Sequence, residues 1–181
     1  AIAILAFVCL FLIMTFLPLV HRYRRKQRPA TMHGEIADLQ NLVVKPTERI
    51  AVSLDFSIAD ERLIAHAVTQ GKKSVTYILL HVVESVSASY LGAASDDDET
   101  RRDKKRLDIY AHQLRQMGYT VETVLGYRNR VNEIIRTVRD SRADLLVMGA
   151  HRHSGLKDYI FGETIEGVRH ALHIPVLIVN V

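Results

Sequence analysis

Between Asp144 and Thr164 the chain reads DLLVMGAHRHSGLKDYIFGET, and the residues there that could do chemistry are Gly149, His151, Arg152, Ser154, Gly162, Glu163 and Thr164. Glycines let backbone amides converge on an anion with no Cβ in the way, and a helix opening just after them adds partial positive charge. Ser154 and Thr164 bring hydroxyl donors. Arg152 brings a guanidinium that either meets a phosphate or fills the space a glycine would leave open. Glu163 opposes a polyphosphate at the same place. The chemistry on offer is phosphate binding. His151 and His153 form an H-x-H pair, with His170 and His173 further on. Two such imidazoles suit a transition metal, but no Cys or well-placed acid accompanies them, so the stretch reads as a polar loop and no metal site is assigned. No Ser/His/Asp or Cys/His set points to a catalytic centre.

The elements that must position this loop follow from periodicity. Leu145 to Met148 is apolar at every position, as in a strand covered on both faces, and Gly149 ends it. Upstream, Arg49–Asp55 (RIAVSLD) reads as a first strand. Ser57 with Asp60 three residues on marks a helix start in the manner of a capping box. Leu63, Ile64, Ala67 and Val68 form that helix's apolar face, and Gly71 closes it. Val75–Val83 is a second, buried strand. Glu84–Thr100 is a long connection whose acidic end, Asp96 to Glu99, opens a helix with an apolar stripe of Leu107, Tyr110, Ala111, Leu114 and Met117. The charges of that helix form a solvated face. Tyr119–Leu125 alternates like an edge strand. Val131, Ile134, Ile135 and Val138 mark a third helix. Ile165, Val168 and Leu172 mark a last one before Pro175 and the strand Val176–Val179. Strands alternating with helices imply right-handed crossovers and a parallel α/β sheet with helices on both faces.

The Asp144–Thr164 stretch resembles the C-terminal loop of universal stress protein (Usp) domains, whose nucleotide-binding members read G-x-x-G-x9-G-S/T. Gly149 and Gly162 match the first and last glycines. Arg152 replaces the middle one, and Glu163 stands where Ser or Thr is expected, with Thr164 one place late. The resemblance runs from about Arg49 to Val181. It implies a doubly wound five-stranded sheet of order 3-2-1-4-5, with a crevice between strands 1 and 4. It implies that Asp55 sits against the base and sugar side of a nucleotide, that Val82 lies near the adenine, and that ATP or AMP is the cofactor. Taken as a residue alone, Asp55 is equally a capping carboxylate and Val82 plain core.

Ala1 to Val20 carries no charged residue, and Arg22, Arg24, Arg25, Lys26 and Arg28 follow it. An apolar helix of about 20 residues spans the ~30 Å hydrocarbon core. Basic residues after the span place residues 21–181 in the cytoplasm and the protein at the cell membrane. A signal peptide would carry its basic residues first. The start at Ala rather than Met adds the expectation that residues 1–20 are the last span of a larger membrane protein. Residues 21–48 form a basic juxtamembrane segment and linker, and residues 49–181 the Usp-like domain. The net charge of +4 gathers near residues 22–28 rather than over a face, which argues against a nucleic-acid partner, and the single Cys9 excludes an internal disulfide.

The phrases HVVESVSASYLG, SDDDETRRD, LGYRNR and GLKDYIFGETIEGVRH also resemble Usp tails appended to divalent-metal transporters of the Nramp family, which move manganese and iron(II) with protons. The expected function is therefore non-enzymatic: an adenine-nucleotide-binding regulatory domain of a membrane transporter, with the membrane as partner through residues 1–28. The alternative is a non-binding structural module, or a homodimer formed through the last strand, VLIVNV.

Overall fold

A computed structural model describes residues 42–150 and 163–180, together with Met14. The chain divides into two compact units, Ala1–Val44 and Lys45–Val181. The second unit runs β1 (Arg49–Leu54), α1 (Asp60–Gln70), β2 (Thr76–Val83), α2 (Val86–Leu91), α3 (Asp98–Gln116), β3 (Thr120–Tyr127), α4 (Arg130–Asp140), β4 (Leu145–Ala150), α5 (Glu163–Ala171) and β5 (Val176–Asn180). The five strands form one parallel sheet in the order β3-β2-β1-β4-β5, the order the resemblance implies. Among the described residues no helix is long and apolar enough to cross a membrane. The predicted span 1–20 lies outside them except for Met14.

Strand alternation assigns each side chain to one of two cores. Ile50, Val52, Tyr77 and Leu79 meet Leu63 and Ala67 of α1 and Leu107, Ala111 and Leu114 of α3 on one face. Ala51, Ile78, Leu80 and Leu146 meet Ile134 and Val138 of α4 and Ile165, Val168 and Leu172 of α5 on the other. β1, β2 and β4 are covered on both sides, which is why they read as continuous apolar runs.

The start of β1 is fastened at the amino edge of the sheet. Asp144 Oδ2 accepts the N–H of Glu48 at 2.9 Å and of Arg49 at 3.0 Å, and Lys45 Nζ lies 3.4 Å from Oδ1. These bonds, the Glu48 amide first, hold the Asp144 carboxyl below its usual range.

Three expectations need correction. α1 starts at Asp60, with Ala59 as its N-cap and no side-chain cap, so Ser57 does not cap it. The reason is that the Asp60 carboxylate turns back to the end of β1 instead of reaching a Ser57 amide. Met117 is 59% exposed and leaves the predicted stripe, because α3 ends at Gln116 and Gly118 at φ +88° turns the chain away. The connection from Glu84 to Asp97 is not plain loop. It holds α2, whose N-cap Ser85 accepts the Ala88 amide and donates its hydroxyl to Asp97 at 2.6 Å.

Thr137 on the inner side of α4 is buried, and its Oγ1 has no hydrogen-bond partner among the described residues. An orphaned buried hydroxyl costs about 1–3 kcal/mol, and valine has the same shape without it. Thr137→Val is therefore expected to stabilise the domain by about 1 kcal/mol. A urea midpoint that stays put or falls would contradict this.

Candidate functional site

β1 leads into α1 on one face of the sheet and β4 leads towards α5 on the other, so the connections diverge between two adjacent strands. Such a switch point leaves a crevice at the carboxyl ends of the strands. A cavity of about 310 Å³ opens there. Asp55, Val82, Gly149 and Thr164, four of the residues singled out in the sequence, line it together. Val82 is buried beside the cavity, Gly149 and Thr164 are half-buried, and Asp55 is exposed. Glu163 is the first residue of α5 and is exposed, without lining the cavity. His151, Arg152, Ser154 and Gly162 lie outside the described residues, as does His153. His170 instead meets Glu166 through Nε2 at 2.9 Å. Among the described residues no cluster of three or more His, Cys, Asp or Glu side chains could hold a metal ion.

The floor of the cavity is built from residues that looked unremarkable in the sequence. Asp60 is buried and accepts the N–H of Asp55 at 3.3 Å and of Phe56 at 3.0 Å. This holds the loop after β1 with Phe56 at φ +60°, a left-handed conformation that costs a bulky residue energy. Burial, reinforced by the Asp55 charge alongside, pushes the Asp60 carboxyl up to about 6 against the pull of the two amides. The sign follows from linkage. The folded state binds the proton more tightly than the unfolded chain, so the stability Asp60 contributes is full below its unfolded value and is lost as pH rises through about 6. Replacing Asp60 by alanine is thus expected to cost about 1.4 kcal/mol more at about pH 5 than at about pH 7.5. Urea denaturation at the two pH values reads this difference, and an equal cost would refute the raised value.

His81 and Asp103 are 8% and 6% exposed. The His81 Nδ1 lies 2.9 Å from the Leu54 carbonyl and its Nε2 lies 3.2 Å from Asp103 Oδ2. Both ring nitrogens face acceptors. The pair is satisfied either by a ring that donates from both nitrogens or by a proton on the carboxyl. Neither nitrogen is left for a ligand, so His81 is a strut between β1, β2 and α3. Phe56 packs its ring on His81 at 4.1 Å between centroids, and Arg106 lies over the Phe56 ring at 5.6 Å and 3.7 Å from Asp103. The sequence hid this arrangement because Asp103 and Arg106 belong to a charge run that otherwise faces water.

At the side of the cavity, Glu84 just after β2 pairs directly with Arg130, the first residue of α4. Both line the cavity. In the sequence Glu84 stood as the start of a long connection, and Arg130 was passed over. Its signal was a cation directly after the helix cap Asn129, where acidic residues are the usual choice.

The fold recurs in other proteins. The chain is 24% identical over 153 residues to universal stress protein MJ0577 of Methanocaldococcus jannaschii, covering 74% of this chain and 94% of that protein. The solved structure of MJ0577 superposes with a TM-score of 0.62 at 23% identity, over 76% of this chain and 98% of that one. A universal stress protein of Archaeoglobus fulgidus, solved in complex with dAMP, superposes with a TM-score of 0.55 at 20% identity, over 74% and 98% of the two chains. A further universal stress protein structure, in complex with cAMP, superposes with a TM-score of 0.55 at 16% identity, over 75% and 98%. The sequence profile of the universal stress protein family matches residues 46–180, well over half of the chain, and the chain belongs to that family.

Proposed function

We propose that the domain binds an adenine nucleotide in the cavity at the carboxyl edge of the sheet, and that occupancy of this site regulates a membrane protein to which residues 1–20 anchor it. The observation that carries the reading is the meeting of Asp55 and Gly149, distant in sequence, on the wall of one cavity with Val82 and Thr164. Relatives of the same fold were solved with dAMP and cAMP. A volume of about 310 Å³ stands at the low end of small-molecule pockets, which run from roughly 300 to 1,000 Å³, and suits a nucleoside monophosphate. The exposed carboxylate of Glu163 at the start of α5 works against a triphosphate. His81 spends both ring nitrogens within the fold, which favours a binder over a catalyst. The anchor reading is supported by the uncharged run 1–20 and the basic residues 22–28 behind it, and the transporter reading by the resemblance of the tail phrases to Nramp-linked domains. Equilibrium binding of labelled AMP and ATP to the full chain tests the site. Saturable binding that Asp55→Ala weakens tenfold or more is the expected result, and no saturable binding at millimolar nucleotide would overturn it.

A second reading is favoured by β5. It is the last strand of the sheet, and Val176, Leu177 and Ile178 remain only half-buried. An apolar edge of this kind can pair with a second copy across a two-fold axis. Sedimentation equilibrium of the full chain distinguishes the two states, and a strict monomer at high concentration would remove the dimer.

A further inference from the structure

The Glu84–Arg130 pair has no evident structural purpose. It is a surface ion pair, with side chains 57% and 51% exposed, and such pairs add little to stability. Arg130 also occupies the first turn of α4, where the helix dipole disfavours a cation. Its place is explained by what it borders. Gly167 of α5 lies so close to Val131 that a Cβ there would sit 3.0 Å from Val131 Cγ1, so the first turn of α4 packs against the second turn of α5. Arg130, the neighbour of Val131 in the chain, lines the same cavity as Gly149 and as Thr164 in the first turn of α5. The other arginine among the described lining residues, Arg106, is committed to Asp103 and the Phe56 ring. Among the described lining residues carboxylates outnumber arginines, and Arg130 is the arginine held only by an exposed carboxylate.

We propose that Arg130 is a specificity-determining residue that exchanges Glu84 for the phosphate of a bound nucleoside monophosphate. This rests on the nucleotide-binding reading of the cavity and adds to it the group that recognises the phosphate charge. A guanidinium presents a planar fork that a phosphate fills with two parallel hydrogen bonds, whereas a half-exposed carboxylate partner is given up cheaply. Glu84 sets the threshold: a neutral nucleoside leaves the pair intact, and a phosphate displaces it.

The readout is the ratio of AMP affinity to adenosine affinity, measured by calorimetry on the full chain. Arg130→Gln is expected to cut the preference for AMP about tenfold, the worth of a charge-assisted contact. Arg130→Lys keeps the charge without the fork and is expected to fall between Gln and the parent. Glu84→Gln frees Arg130 and is expected to raise the preference several-fold. The opposite signs separate this role from simple damage to the fold, which would weaken adenosine and AMP together. A ratio that Arg130→Gln leaves where it was, while adenosine still binds, overturns the assignment of Arg130 alone. Absence of binding by either compound overturns the nucleotide reading and this proposal with it.

Discussion

Replacing Asp103 by alanine is expected to destabilise the domain by about 3–5 kcal/mol, since it breaks a buried pair by removing one partner. His81 would keep its bond to the Leu54 carbonyl, but its Nε2 would face the space left by the carboxylate with no acceptor, at a site almost closed to water. Arg106 would lose its carboxylate partner too, and with it part of its hold over Phe56. The measurement is a urea titration of parent and variant at fixed pH. A second variant decides the cause. His81→Leu combined with Asp103→Leu removes both polar partners, so its cost is expected to be well below the sum of the two single changes. A loss below about 1 kcal/mol for Asp103→Ala would show that the pair does not brace the cavity floor.

Gly71→Ala is expected to cost about 2 kcal/mol, although glycine-to-alanine changes at ordinary backbone angles more often stabilise. Gly71 has φ −115°, which any residue adopts, so backbone strain plays no part. Space does: an added Cβ would stand 2.4 Å from Tyr77 Oη and 3.1 Å from Ile50 Cδ1. Tyr77 cannot swing aside, being fully buried and set edge-on against Tyr119 at 5.6 Å. Removing the obstructing hydroxyl supplies the check. Gly71→Ala in a Tyr77→Phe background is expected to recover most of the loss in thermal denaturation, and a double variant as unstable as the single would place the clash elsewhere.

The sequence made the strands and main helices legible wherever burial was two-sided or strictly periodic, as in Val75–Val83 and along Leu107, Ala111 and Leu114. Gly71 was also visible, but for the wrong reason, since a helix-ending glycine usually supplies a left-handed turn and this one supplies room. The strand order came from resemblance, because hydrophobic pattern carries no information on which parallel strands are neighbours. At the site, Asp55, Val82, Gly149 and Thr164 could be picked out and do share one cavity. His81 and Asp103 could not, and Asp60 stood out only as a helix-start carboxylate, because a polar residue in an apolar strand or an acid among many declares its role only when the fold removes its water. Arg130 was missed because a helix charge declares its purpose only when its surroundings are known.

The position of β1 bears on how the domain would respond to tension. It is the middle strand, entered from the amino edge and clasped there by Asp144, while β5 leaves at the carboxyl edge. Pulling the two ends apart would drag β1 and β5 lengthwise in opposite directions, loading the β1–β4 and β4–β5 ladders in shear so that their hydrogen bonds share the load instead of unzipping one by one. Single-molecule stretching would then show one abrupt, high-force rupture, and a gradual low-force peeling would contradict it.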